Sequence, residues 1–323
     1  MDYRALRIVF LGTPEFAVAS LSALVESGCN IVGVITAPDK LGGRGRKQVI
    51  ESPVKKYSTE RGLRILQPPR LKRKSFVKEL ESLKADLQIV VAFRMLPEVV
   101  WNMPSLGTYN LHGSLLPKYR GAAPINWAII NGEEETGVTT FKLKHEIDTG
   151  NIAFQEKVEI GKSEYLDDIY LKLMNAGASL VVKTVKAIAS DTIELQEQNN
   201  TLVTKAPKIF HDDCKIDLSA DVRSTYNKIR GLSPIPVAWI ILNNKKVKIY
   251  KAKYAVHQHG LQDGTLVVHN KTLAISCKDG FIFPIELQLE GKKRTKINDF
   301  LNGNWIKMNT PPDQLRIQSP WSL

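Results

Sequence analysis

Apolar and polar positions along the first half of the chain alternate between two periods. Ile8–Leu11 is a short apolar run that stops at Gly12, and Pro14 opens a helical stretch running to Gly28. Pro early and Gly late is the expected punctuation of a helix. Ile31–Ile35 is a second β-branched run, and Ser52-Pro53 has the form of an N-cap and first helical position for a short basic helix ending near Gly62. Leu87–Ala92 and Thr108–His112 are further strands. Short, continuously apolar strands separated by helices predict a Rossmann-like α/β domain, its sheet mostly parallel with helices on both faces. Val138–Lys142 and Ile152–Val158 extend the sheet around a loop, Lys144–Gly150. Ser163 would then cap a long helix whose stripe is Leu166, Ile169, Tyr170, Leu173, Gly177, Leu180 and Val181.

Beyond Pro207 the pattern changes. Val237–Leu242, Lys246–Tyr250, Thr265–His269, Thr272–Ser276 and Phe281–Leu289 are closely spaced β patterns broken by Asn243-Asn244, Gly264 and Asp279-Gly280. Such spacing predicts a small barrel or sandwich. The expected division is 1–190, a polar linker over 191–207 that includes Gln196–Thr201, and 208–323. There is no internal repeat and no low-complexity tract.

Composition narrows the class. The 323 residues are 43% hydrophobic and 24% charged, enough for two packed cores. No run approaches the roughly 20 apolar residues of a membrane helix. The opening Met1-Asp2-Tyr3-Arg4 leads straight into a strand, which leaves no room for a cleaved leader. Cys29, Cys214 and Cys277 are scattered and odd in number, against a disulfide framework or a cysteine zinc finger and in keeping with a reducing cytoplasm. The formal charge is +12, and its distribution is uneven. Residues 40–78 hold 13 Lys and Arg against Glu51 and Glu60, and residues 208–323 hold 18 basic and 10 acidic side chains. These two segments carry +11 and +8, so the remainder carries −7. Charge alone leaves two readings open, a polyanionic partner or a solvated lysine-rich surface.

Some chemistries lack their motifs. The first βα turn, Phe10-Leu-Gly-Thr-Pro-Glu-Phe16, has one glycine where a dinucleotide site needs three, and Glu15 occupies the place an anion would take. NAD is therefore not expected, and no P-loop is present. The densest constellation is Asn110-Leu-His-Gly-Ser-Leu-Leu-Pro-Lys-Tyr-Arg-Gly121, followed by Glu146-Ile-Asp-Thr-Gly-Asn151. Residues two apart on a strand share a face, so Asn110 and His112 should project together at the carboxyl end of a strand. An amide and an imidazole there can stabilise a developing oxyanion, and Asp148 is the natural carboxylate to orient the imidazole. The trio suits acyl transfer to an outside amine without a covalent intermediate. Taken singly, each could be a strand-end cap, a buried histidine or a loop turn.

Asn110-x-His112-x-Ser-Leu-Leu-Pro117, with Asp148 thirty-six positions after the histidine, resembles the folate-dependent formyltransferase superfamily. Phe10-Leu-Gly-Thr-Pro-Glu-Phe16, Gly43-Arg-Gly45, Ser52-Pro-Val-Lys55, Lys118-Tyr-Arg-Gly-Ala-Ala-Pro124 and Asp148-Thr-Gly narrow the resemblance to the methionyl-tRNA formyltransferase family. Ile229-Arg-Gly-Leu-Ser-Pro-Ile-Pro236 is similar to the start of its carboxyl-terminal domain. The resemblance implies formyl transfer from 10-formyltetrahydrofolate to methionyl initiator tRNA, by a cytoplasmic monomer with no metal, NAD or membrane involved. It implies an OB-like β-barrel for the tRNA-binding carboxyl domain. It also implies that Asn110 and His112 polarise the formyl group, with Asp148 holding His112 protonated. Ser114, Leu115, Leu116 and Pro117 would line the folate site, and Lys40, Arg44, Arg46 and Lys47 would meet the tRNA acceptor end.

Val91-Ala-Phe-Arg-Met-Leu-Pro97 departs from the family pattern. It is one residue shorter than Ala-Tyr-Gly followed by three apolar residues and Pro, and Arg94 stands in place of a glycine. His145 lies three residues from Asp148 but in a charged, solvated stretch. His211, His257, His259 and His269 lack metal-like partners, and the five tryptophans suit packing better than base stacking. A formyltransferase for a small amine would leave the basic segments without purpose, and a non-enzymatic RNA-binding module would leave Asn110, His112 and Asp148 unexplained.

Overall fold

The structure is a computed structural model describing residues 1–42, 45, 48–242, 244–269 and 271–303. Along the chain the elements are β1 (Arg7–Gly12), α1 (Glu15–Glu26), β2 (Asn30–Ile35), β3 (Lys40–Gly42), β4 (Gln48–Ile50), α2 (Pro53–Glu60), β5 (Ile65–Leu66), α3 (Lys74–Ser82) and β6 (Leu87–Val91). Then come α4 (Glu98–Trp101), β7 (Thr108–His112), β8 (Arg120–Gly121), α5 (Pro124–Ile130), β9 (Glu135–Lys142), β10 (Ile152–Glu159), α6 (Leu166–Ala189) and β11 (Lys205–Ala206). The last third holds α7 (Val222–Leu232), β12 (Ala238–Leu242), β13 (Lys245–Val256), β14 (Leu266–His269), β15 (Thr272–Cys277), β16 (Gly280–Leu289), β17 (Thr295–Lys296) and α8 (Ile297–Asn302).

The chain divides into two compact units. The first comprises residues 1–124, 135–159 and 170–207, and the second 125–134, 160–169 and 208 onward. In the first, seven strands pair in the order β10-β9-β7-β6-β1-β2-β5. The strands from β7 to β5 pair in parallel, while β9 and β10 add an antiparallel edge. Helices cover both faces, as the strand pattern predicts. Val9, Leu11, Ile35 and Val90 share one buried cluster with Phe76 and Leu80 of α3. On the other face Leu111 meets α6 so closely that a Cβ on Gly177 would lie 2.6 Å from its methyl group. Thr140 exchanges a hydrogen bond with Thr184 of α6 on that same side (2.8 Å).

Local signals explain several boundaries. Ser52 Oγ accepts the amide of Lys55 (3.0 Å), the expected N-cap, ahead of Pro53. Ser163 is not the start of α6, which opens at Leu166 after Tyr165 N donates to Asp168 (2.9 Å). The helix expected from Pro14 begins at Glu15, and its Phe16 amide donates to the Tyr170 hydroxyl (2.9 Å).

In the second unit, β12-β13-β16-β15-β14 form an antiparallel sheet, with β17 added to β16. Among the described residues β12 and β14 are the two ends of this ladder, so the barrel expectation is met by an antiparallel sheet open along that path. β13 runs twelve residues rather than the five expected, through two register shifts near Lys251 that let it bend. Helix α7, which the β reading passed over, is N-capped by Asp221 on Ser224 N (2.8 Å) and buries Val222, Tyr226 and Ile229 against the sheet. Arg230 at its end is 4% exposed and donates to the carbonyls of Gly161 (3.0 Å) and Glu164 (2.9 Å). Gly231 allows α5 to approach α7, since a Cβ there would lie 3.1 Å from the Asn126 carbonyl. No described helix is long and apolar enough to cross a membrane.

All three cysteines are buried, and burial pushes the thiols of Cys29 and Cys277 up to about 11. A raised thiol pKa leaves very little thiolate at neutral pH. The expected outcome is negligible reaction of native protein with an aromatic disulfide reagent at pH 7.5, and three equivalents of thiol released after denaturation; rapid labelling of the native chain would contradict this burial.

Candidate active site

The site is built where β7 ends. The register pairs Asn110 with Val90 of β6 and Phe141 of β9, so Asn110 and His112 lie on the face that carries the Val90 cluster. The two-residue strand period therefore holds: the pair shares one face at the carboxyl end of a parallel strand, where open α/β sheets gather ligands. Asn110 is half-buried and His112 only 6% exposed.

His112 has its two ring nitrogens committed differently. Nε2 lies 2.9 Å from the carbonyl of Tyr119. A carbonyl only accepts, so Nε2 carries the hydrogen, and Nδ1 is the nitrogen left for proton chemistry. Nδ1 faces Asp148 Oδ2 at 3.8 Å, too long for a direct hydrogen bond but close enough for strong charge attraction to a proton placed there. Asp148 is in turn held by the backbone amide of Gly121, which donates to the same Oδ2 (2.9 Å). An outside oxygen acceptor would thus find the Asn110 amide and His112 Nδ1 on one face, with the Asp148 carboxylate beside that same nitrogen.

Four backbone positions make this possible. Tyr119 (φ +60°) and Asp148 (φ +55°) are left-handed, a conformation costing on the order of 1 kcal/mol for a non-glycine residue and less for Asp. Gly121 has φ +129°, and a Cβ there would lie 2.5 Å from the carbonyl of Ala206. Gly150, closing the Asp148 loop, has no room either: a Cβ would meet the Lys142 carbonyl at 1.7 Å.

The Ser-Leu-Leu-Pro turn is bolted to β9 by Thr139, whose hydroxyl donates to Ser114 O (2.6 Å) and accepts from Leu116 N (3.1 Å). Ser114 is fully buried and donates to Lys118 O (2.6 Å), while Leu116 packs with Phe141 and Ile152. Both side chains are spent on the shape of the turn. Leu115 and Pro117 are partly exposed and so open to a ligand. In the departing loop, Arg94 donates to the carbonyls of Pro69 (3.1 Å) and Pro68, tying the segment after β6 to the chain after β5.

Other expected residues fall elsewhere. Lys40 is exposed at the start of β3, which pairs with β4 as a hairpin. Arg44, Arg46 and Lys47 lie outside the described residues, as do Trp305 and Trp321. His145 is exposed. His259 donates Nε2–H toward Cys277 O (2.7 Å) and accepts Leu261 N at Nδ1 (3.2 Å), which leaves it no free nitrogen for a metal. Trp239 is 8% exposed and packs in the core of the second unit.

Sequence reasoning missed Gln198. It lies in the segment expected as a linker, yet it is 5% exposed and hydrogen-bonded to the Asp148 loop. Its signal was weak, since a glutamine in a polar run gives no periodicity.

Comparison with known proteins shows the family. A profile described as "Formyl transferase" matches residues 6–185, and one described as "Formyl transferase, C-terminal domain" matches 208–304. The chain is 51% identical over 313 residues to the "Methionyl-tRNA formyltransferase" of Bacteroides thetaiotaomicron, covering 94% of this chain and 97% of that one. It is 49% identical over 304 residues to the same-named protein of Flavobacterium johnsoniae, covering 92% and 96%. In fold it is similar to an N-formyltransferase from Helicobacter canadensis in complex with folinic acid and dTDP-3-aminofucose, with TM-score 0.64, 22% identity and coverage of 86% and 98%. HypX from Aquifex aeolicus in complex with tetrahydrofolic acid gives TM-score 0.64 at 17% identity, covering 94% of this chain and 48% of that one.

Replacing Gly121 by Ala should lower stability by about 1–3 kcal/mol through the forced clash and backbone strain. Urea unfolding checks it; a midpoint equal to that of the unmodified chain would show that β8 and β11 can separate freely.

Proposed function

The chain belongs to the methionyl-tRNA formyltransferase family, and from that premise we propose that it transfers the formyl group of 10-formyltetrahydrofolate to the α-amino group of methionine on initiator tRNA. The observation carrying this reading is the meeting of Asn110, His112 and Asp148 at the end of β7. Two hydrogen-bond donors on one face, backed by a carboxylate, suit attack of a neutral amine on a formyl carbonyl.

The step balances without a covalent enzyme intermediate. The amine lone pair attacks the formyl carbon and the carbonyl electrons move onto oxygen. The Asn110 amide and a proton on His112 Nδ1 stabilise that oxyanion. Collapse re-forms the carbonyl and breaks the bond to folate N10, which takes up a proton as the amine releases one. Asp148, through water, passes the proton between them. The formyl carbon keeps its oxidation state, so no redox cofactor enters.

The folate would lie against Leu115 and Pro117 on the turn shaped by Ser114 and Leu116. The tRNA acceptor end would meet the loop that begins at Lys40 and continues through Arg44, Arg46 and Lys47. Residues 1–190 would carry the chemistry and 208–323 would hold the tRNA, the Lys and Arg of each supplying phosphate contacts. The enzyme would act as a cytoplasmic monomer.

Two outcomes are expected. His112→Ala and Asp148→Ala should each lower turnover by about 10²–10⁴-fold with 10-formyltetrahydrofolate and charged initiator tRNA. Full activity in His112→Ala would overturn the assignment. Neutralising Arg44, Arg46 and Lys47 together should flatten the plot of log affinity for tRNA against log salt by roughly 2–3 in slope; an unchanged slope would remove the loop from the interface.

A further inference from the structure

We infer that residues 198–206 form a strap that positions the catalytic pair, and that Gln198 is its positioning residue. The inference rests on the assignment of His112 and Asp148 above, and its grounds are geometric. The two hydrogens of the Gln198 carboxamide go to Asp148 O (2.9 Å) and Gly150 O (2.8 Å). Its oxygen accepts from Arg120 Nε (3.0 Å) and Nη2 (2.6 Å), and the same guanidinium reaches Asn200 Oδ1 (3.1 Å). A primary amide offers two donors and an oxygen with two lone pairs, and here all four are used in a nearly sealed site. One side chain thereby pins the carbonyls on either side of Thr149 and so fixes the left-handed backbone from which the Asp148 carboxylate projects.

The rest of the strap reaches the same pair from the other side. Thr204 accepts the amide of Tyr119 on its hydroxyl (2.8 Å) and the amide of Arg120 on its carbonyl (3.0 Å). β11 pairs in parallel with β8, Lys205 with Arg120 and Ala206 with Gly121. Tyr119 supplies the carbonyl that orients His112 Nε2, and Gly121 supplies the amide that holds Asp148 Oδ2. The two backbone groups that hold the catalytic side chains, the Tyr119 carbonyl and the Gly121 amide, therefore belong to a segment tied to residues 204–206.

Gln198 touches no reacting atom, so its effect must pass through Asp148. The test compares Gln198→Ala and Gln198→Glu with the unmodified enzyme. The glutamate keeps the volume and the acceptor for Arg120 but loses both donated hydrogens, so it decides the matter if the alanine variant does not fold. The expected result is a fall in kcat of about 10–100-fold, from a small displacement of the catalytic group, with KM for folate and tRNA little changed. The loss should nearly vanish when the same substitution is made in Asp148→Asn, because the two act as one unit. Nitrogen NMR of labelled histidine should show the His112 ring resonances moving while those of His257 and His269 stay in place. Unmoved His112 resonances with unmodified kcat would overturn the inference, and so would a loss of equal size in the Asp148→Asn background. The NMR readout needs no substrate, so a wrong substrate assignment and a wrong positioning role give different results.

Discussion

The hydrogen bond from His112 Nε2 to the Tyr119 carbonyl is the constraint from which the site follows. It commits one nitrogen of the ring and turns the other toward Asp148. Had Nε2 been free, the imidazole could rotate and pair with either a carboxylate or a substrate oxygen, but not both in order. The carbonyl is available only because Tyr119 is left-handed, and Tyr119 holds that conformation because the chain on its far side is tethered to Thr204. A single imidazole orientation thus draws on Thr204, which lies 85 residues beyond Tyr119 in sequence.

That dependence explains what could and could not be read from the amino-acid sequence. The alternation that places Asn110 and His112 on one face is a property of any strand, and the Ser52-Pro53 cap is a local signature, so both were legible. Asp148 was legible as a chemistry-bearing residue in a glycine-containing loop. Its anchors were not, because β8 and β11 are only two residues each, and a pair that short leaves no period. The Gln196–Thr201 run has the polarity of a linker, and burial of an amide with all its hydrogen-bonding positions filled looks the same in sequence as solvation.

Helix α7 carries a cap at Asp221 and a stripe through Val222, Tyr226, Ile229 and Leu232, yet the β pattern of its surroundings hid it. Gly231, in its last turn, allows close approach to α5. Likewise the Ser-Leu-Leu-Pro turn was legible as a motif, while the division of labour inside it was not. Ser114 and Leu116 face inward, and Leu115 and Pro117 do not, a distinction set by Thr139 on a neighbouring strand. The +12 charge was readable as two basic segments, since charge depends only on composition; which atoms meet a polyanion depends on tertiary placement.

The second unit is not a bead at the end of the chain. It includes 125–134 and 160–169, stretches that leave the first unit on either side of β9 and β10 and then return to it. Tyr165 shows how firmly they are held, with its hydroxyl both donating to and accepting from the backbone of Ala252 (3.0 Å each). A recombination event that swapped only the carboxyl-terminal third would therefore leave α5 and the Tyr165 segment facing a foreign sheet. Exchange of the whole second unit between relatives therefore needs five junctions, after residues 124, 134, 159, 169 and 207, so that substitution and loop change are the easier routes of divergence.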